Sequence, residues 1–134
     1  MTGIEICNLA KNWGDVRAVD DVSFQVPQGT LTVLLGPSGC GKSTLLRMIA
    51  GLEDVSAGEV HINGRDITHQ DAAKRGVSMV FQSYALFPHL SVRENILFGL
   101  KVRKVVEDER TKRLHEAARM VGLEDLLDRK PANL

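Results

Sequence analysis

Two cysteines in 134 residues, Cys7 and Cys40, are too few for a disulfide framework. A reducing, cytosolic compartment suits such a chain. An excess of charge of either sign is missing too. Lys plus Arg and Asp plus Glu number 17 each, so the overall balance points to neither nucleic acid nor a lipid surface. No apolar run approaches the roughly 18 residues needed to cross a bilayer. The stretch Met1-Thr2-Gly3-Ile4-Glu5-Ile6 has no basic segment leading into an apolar core, so a signal peptide is not expected. Internal repeats, low-complexity tracts and linkers are absent as well. What remains has the composition of a soluble globular protein, 43% hydrophobic and 25% charged. Its length suffices for one domain with a core.

Against that plain background one stretch stands out. Gly36-Pro37-Ser38-Gly39-Cys40-Gly41-Lys42-Ser43-Thr44 matches the phosphate-binding pattern G-x-x-x-x-G-K-[ST] at every fixed position. Before it runs Thr30-Leu31-Thr32-Val33-Leu34-Leu35, apolar and of strand length. After it runs Leu45-Leu46-Arg47-Met48-Ile49-Ala50, which reads as the start of a buried helix. A glycine turn before a helix would be the plain alternative. The strand-loop-helix context favours a site, because backbone N–H groups at a helix N-terminus meet phosphate with the positive end of the dipole. Glycines at 36, 39 and 41 permit a concave nest. In that nest Lys42 is expected to reach the β- and γ-phosphates, Ser43 to hold a bridging Mg²⁺, and Thr44 to add a donor. Cys40 reads either as a small residue that fits the loop or as a thiol whose pKa the helix N-terminus lowers.

Elsewhere, residues 3–9 alternate as a strand, Lys11 to Asp15 reads as a turn, and Val16 to Val26 reads as one or two further strands closed by Pro27-Gln28-Gly29. Trp13, the sole tryptophan, either caps a core or stacks on a base. Gly51 suits a left-handed helix cap, Ser56-Ala57-Gly58 a turn, and Asn63-Gly64 a hairpin after the strand 59–62. His61 and His69 have no partner at metal-ligand spacing and read as surface residues. Residues 71–76 suggest a short helical piece, and Val77 to Phe81 a strand buried on both faces. Gln82 follows that strand, where open α/β sheets bind ligands. Residues 83–90, with Tyr84, Leu86, Phe87, Pro88 and Leu90, form a loop apolar enough to fold onto the core or meet a partner. Ser91-Val92-Arg93-Glu94 is a capping box that opens a helix. A second helix spans 107–121, with Leu114, Ala117, Ala118 and Val121 as its buried stripe. Gly122 ends that helix, and Pro131 ends a short turn after it.

Taken together, the phosphate loop, Gly51-Leu52-Glu53, Met79-Val80-Phe81-Gln82-Ser83-Tyr84-Ala85-Leu86-Phe87-Pro88-His89 and Arg93-Glu94-Asn95-Ile96 resemble ABC-transporter ATP-binding subunits. These stretches look like those of importers of sugars, glycerol phosphate and polyamines, and the sugar-importer branch looks most similar. The resemblance implies an α/β P-loop NTPase core with an N-terminal antiparallel β-subdomain over about 1–90. The beginning of a helical subdomain follows over about 91–134. It implies that ATP and Mg²⁺ are bound through Gly36, Pro37, Ser38, Gly39, Cys40, Gly41, Lys42, Ser43 and Thr44, with Trp13 stacked on the adenine. Lys42 and Gln82 take catalytic roles, and Ser43 and Gln82 contact the metal. The implied partners are transmembrane permease subunits, received at 83–90, and a second ATP-binding subunit. A solute-binding protein is an indirect partner, and nucleic acid is not one. The implied place is the cytoplasm, peripheral on the inner face of the plasma membrane.

The chain departs from the family at Asn133-Leu134, where relatives continue into L-S-G-G-Q. Walker B, with its Asp and catalytic Glu, lies beyond that point in the family. The expectation is therefore a fragment that grips nucleotide, binds it weakly alone and turns it over at or near background. The alternatives are a binding module without turnover and a non-transport ABC ATPase. A GTPase would require N-K-x-D, which does not occur.

Overall fold

A computed structural model describes residues 2–83 and 85–134, with Tyr84 outside the described residues. The chain divides into two compact units, one ending at Val80 and the other beginning at Phe81.

The first unit is built on a four-stranded antiparallel sheet. Strands β1 (Thr2–Trp13), β2 (Val16–Pro27), β3 (Ala57–Ile62) and β4 (Arg65–Asp66) lie in the order β2-β1-β3-β4. β1 is longer than its alternating pattern suggests, because a bulge at Asn8 resets the alternation. Ile6 and Leu9 lie three residues apart, yet both are buried. Asn8 and Asp21 both have φ of 48°, and the Asn8 amide donates to Asp21 Oδ1 at 2.7 Å. The hairpin turn after β1 is only Gly14-Asp15, so Lys11, Asn12 and Trp13 belong to the strand rather than to the turn. Ala57 and Gly58 likewise lie in β3, not in a turn, while Asn63-Gly64 closes the β3–β4 hairpin as expected.

Helix α1 (Lys42–Ala50) buries Leu45 and Met48 in a core with Ile6, Leu9, Val19, Val60 and Ile67. These positions fall on one face at i and i+3. Gly51 ends the helix with φ of 76°. Its N–H bonds Met48 O at 3.1 Å, and Leu52 N–H reaches Arg47 O at 2.8 Å, the paired bonds of a Schellman motif. A 3₁₀ turn, Ala72–Lys74, occupies the short helical piece.

The strands expected at 30–35 and 77–81 are not formed. Neither run joins a ladder among the described residues. A strand requires a partner for its backbone groups, and an apolar run supplies only the side chains for one. Leu31 is 93% exposed, Leu35 89% and Val80 97%. The two runs line one apolar cavity of about 460 Å³ together with Phe24, Leu46 and Ile49.

In the second unit, α2 (Val92–Val102) and α3 (Glu107–Met120) bury Val92, Leu114, Ala118 and Leu127 in a core of their own. Val121, expected in the buried stripe, lies beyond the helix end and is exposed. Two 3₁₀ turns, Glu124–Leu126 and Pro131–Asn133, follow, the latter opened by its proline. No helix among the described residues is long and apolar enough to cross a membrane.

Candidate phosphate site at the start of α1

The N-terminus of α1 is left open by its sequence. Gly41 is the N-cap, so no side chain caps the helix, and the first turn holds no acidic residue. The first intrahelical bond is Leu45 N–H to Gly41 O at 2.9 Å. The N–H groups of Lys42, Ser43 and Thr44 donate to no protein atom among the described residues. A helix leaves its first N–H groups orphaned unless something accepts from them. These three carry the positive end of the helix dipole into one small region.

Gly41 is fixed in place by geometry. Its φ is 93°, and a Cβ there would stand 2.2 Å from the carbonyl oxygen of Ala18 on β2. Any larger residue would force the loop away from the sheet. Gly36 is crowded as well, since its Cβ would meet Cys40 Sγ at 2.7 Å.

Lys42 folds its ammonium back into the loop. Nζ donates to Pro37 O at 2.7 Å, Gly36 O at 2.8 Å and Cys40 Sγ at 3.3 Å. A phosphate would compete with these carbonyls for the same three donors. The Ser43 hydroxyl makes no hydrogen bond among the described residues and is free to serve a hard cation. An adjacent cleft of about 380 Å³ is lined by Arg17, Asp20, Leu34, Cys40, Gly41 and Lys42. Orphan N–H groups, one ammonium and a free hydroxyl form a donor set that fits a polyphosphate with its magnesium. Ser38, Gly39 and Cys40 are exposed on the same loop.

Two side chains that sequence reasoning did not single out hold the far end of α1 and the segment just past it. Arg75 is 8% exposed. Its guanidinium donates to Met48 O at 2.8 Å, Ile49 O at 3.0 Å, Thr68 O at 2.8 Å and Gln70 O at 2.7 Å. Burial pulls its pKa below the usual arginine value. Gly51 makes room for it, since a Cβ there would fall 2.5 Å from Arg75 Nε. The second is Lys11, whose Nζ meets Glu53 Oε1 at 2.6 Å and Asp54 O at 2.8 Å. That ammonium also stands 5.7 Å from the centre of the Trp13 ring. The Lys11 bond holds the Glu53 carboxyl below its ordinary pKa, and the indole N–H of Trp13 adds to the effect. Trp13 itself is half exposed at the end of β1.

Gln82 belongs to the second unit, where it is exposed and makes no side-chain hydrogen bond among the described residues. In that unit Asn95 organises the loop before α2. Its Oδ1 accepts from Phe87 N–H at 2.9 Å, and its amide donates to the carbonyls of Phe87, Leu90 and Ser91. Phe87 rests on Phe98, ring centres 4.5 Å apart, while Leu86 and Phe87 stay 47% and 40% exposed. His61 is paired with Glu59 at 2.8 Å, and His69 is exposed.

Residues 19–134 match the family model described as ABC transporter. The chain is 50% identical over its whole length to the sn-glycerol-3-phosphate import ATP-binding protein UgpC of Ruegeria pomeroyi, covering 38% of that protein. It is 48% identical over its whole length to the maltose/maltodextrin import ATP-binding protein MalK of Mannheimia succiniciproducens, covering 36%. It is 47% identical over 99% of its length to the spermidine/putrescine import ATP-binding protein PotA of Haemophilus ducreyi, covering 36%. The chain thus spans less than two-fifths of the curated relatives it matches. A solved ATP-binding cassette of an ABC transporter superposes with a TM-score of 0.84 at 30% identity, covering all of this chain and 59% of that one. A nucleotide-free cassette superposes at 0.81 and 29% identity, with the same coverage.

Proposed function

Because the chain belongs to the ABC transporter family, we propose that it holds Mg-ATP at the N-terminus of α1 as part of the ATP-binding subunit of an importer. The observation that carries this is the open helix start. Three orphan N–H groups, the Lys42 ammonium and the free Ser43 hydroxyl converge there with no carboxylate in the first turn. In this reading Lys42 would neutralise the β- and γ-phosphates, Ser43 would hold the Mg²⁺, and Trp13 would receive the adenine. Magnesium supplies charge neutralisation when bound; the chain's own contribution is to position the phosphates.

The loop 83–90 is the proposed contact for a transmembrane permease. Exposed Leu86 and Phe87, held in place through Asn95, support that assignment. A second ATP-binding subunit would complete the assembly, on the cytoplasmic face of the plasma membrane. A solute-binding protein would be linked to it indirectly. The relatives' names point to a sugar, glycerol phosphate or a polyamine as solute.

Calorimetry with Mg-ATP tests the binding. A measurable affinity that disappears in Lys42→Ala supports the reading, and an unchanged affinity sinks it.

A second reading, a binding module without turnover, is favoured by the cleft beside Lys42. Its one carboxylate, Asp20, lies in an exposed pair with the Arg17 guanidinium at 3.1 Å, and no histidine or glutamate lines the cleft among the described residues. The 134-residue chain is then expected to release phosphate from ATP at background. Turnover lost on Lys42→Ala would refute this second reading.

A further inference from the structure

Lys11 is an expensive residue where it stands. It is a lysine 8% exposed on a strand, and a buried ammonium is tolerated only when paired and hydrogen-bonded. A methionine would fill a similar volume with no charge to desolvate. What the charge adds is geometry. Lys11 ties three things together. These are the strand that ends in Trp13, the Glu53 carboxylate and the Asp54 carbonyl just past the end of α1. Lys11 and Trp13 are two residues apart on β1, the spacing that places side chains on one face. The ammonium lies 5.7 Å from the ring centre, within cation–π range. The indole is thus gripped on one side and half exposed overall.

We infer that Lys11, with Glu53 as its anchor, is a positioning residue that holds the Trp13 indole as a platform for the base of a bound nucleotide. This rests on the reading that Trp13 receives the adenine. It deepens that reading by assigning base affinity to a half-buried ion pair outside the phosphate loop. An indole without this support would sample more rotamers, and each bound base would bear the cost of ordering it. The phosphate contacts at Lys42 do not run through Lys11, so the two halves of the ligand should respond separately.

The test compares Mg-ATP with magnesium tripolyphosphate, which has the phosphates and no base. Both affinities are measured by calorimetry in wild type, Lys11→Met, Lys11→Arg and Glu53→Gln, with Trp13 emission followed in parallel. In Lys11→Met and Glu53→Gln, ATP affinity is expected to fall about tenfold, the scale of one aromatic–base stack. Tripolyphosphate affinity should change by less than about twofold, since it makes no such stack. Lys11→Arg keeps the charge and is expected to retain most of the ATP preference. Equal losses for ATP and tripolyphosphate would mean that Lys11 merely supports the fold, and would overturn the inference. So would an unmoved preference in Lys11→Met and Glu53→Gln when wild type prefers ATP. If Lys11→Met fails to fold, Glu53→Gln alone decides, since it removes one charge and keeps the shape. A wild type that binds tripolyphosphate as tightly as ATP would sink the stacking role of Trp13 itself, and this inference with it.

Discussion

Helices α1 and α2 begin in opposite ways. At α2 every early N–H is satisfied. Val92 N–H donates to Arg129 O and Arg93 N–H to Leu127 O, both at 2.8 Å. Glu94 N–H donates to Ser91 Oγ at 3.2 Å, and Asn95 N–H to Ser91 O at 2.9 Å. The Glu94 carboxylate reaches back to Ser91 N–H at 2.7 Å and completes the capping box. At α1 the cap is a glycine, the first turn lacks an acid, and three N–H groups wait for an acceptor. Two helices of similar length in one chain thus separate two uses of the same dipole. One end is sealed by its own side chains and carbonyls, and the other is left open, as the proposed phosphate site requires.

The strongest way to break the contrast is to remove the charge at the open end. Lys42→Ala is expected to weaken Mg-ATP binding about a hundredfold or more, since a charge-assisted phosphate contact contributes on the order of 3 kcal/mol. Calorimetry reads it directly. Ser91→Ala at the sealed end should leave that affinity unchanged. A similar loss from both variants would mean that the two helix starts are not specialised.

Next in size is the far end of α1. Arg75→Met would strip a donor from the carbonyls of Thr68, Gln70, Met48 and Ile49 at once. Buried acceptors left without partners make a loss of about 2–4 kcal/mol the expected result. Urea unfolding would show it as a lower midpoint with an unchanged slope. A change under about 1 kcal/mol, on the order of a single net hydrogen bond, would mean water replaces the guanidinium at little cost.

Features encoded over a few neighbouring residues are legible in the amino-acid order alone. The Gly51 cap, the Asn63-Gly64 turn and the Ser91 box each depend on residues within one or two turns. Features that require a distant partner are not. Arg75 reads as part of a short helical piece, yet its guanidinium closes a helix some 26 residues earlier. Lys11 reads as a turn residue, and its partner lies at Glu53. Residues 30–35 have strand composition, but a ladder is a property of two segments, and none forms there among the described residues. Asn95 lies within a stretch carrying the family resemblance, but its four bonds to the loop appear only in three dimensions.

A smaller effect sharpens the contrast from the other side. Ser91→Ala removes the side-chain acceptor for Glu94 N–H, and loss of such a cap costs about 1 kcal/mol. Ser91→Asp restores an acceptor and a favourable charge at the helix start, so it should recover most of the loss. Thermal unfolding of the two variants beside wild type measures both. No difference between them would mean that the carbonyls of Leu127 and Arg129 hold the helix start by themselves.

The smallest expected effect is a pH response confined to α2. The bonds to Ser91, first its backbone N–H and then its hydroxyl, hold the Glu94 carboxyl below its ordinary pKa. The sign follows from linkage. A carboxyl with a depressed folded-state pKa adds stability that is fully present above the unfolded value of about 4.3. That contribution is lost as the pH falls through the lower, folded value. The first turn of α1 carries no acid, and no carboxylate accepts from its amides among the described residues. An amide NMR titration should therefore move the Ser91 N–H resonance at a pH below the normal glutamate range. The resonances of Lys42, Ser43 and Thr44 should stay still over the same interval. Glu94→Gln should abolish the Ser91 response while leaving the helix in place, because glutamine can still accept from that N–H. A Ser91 resonance that titrates at the ordinary glutamate value would show that the carboxylate does not close the box in solution. The difference between the two helix starts would then rest on Ser91 and the 127–129 carbonyls alone.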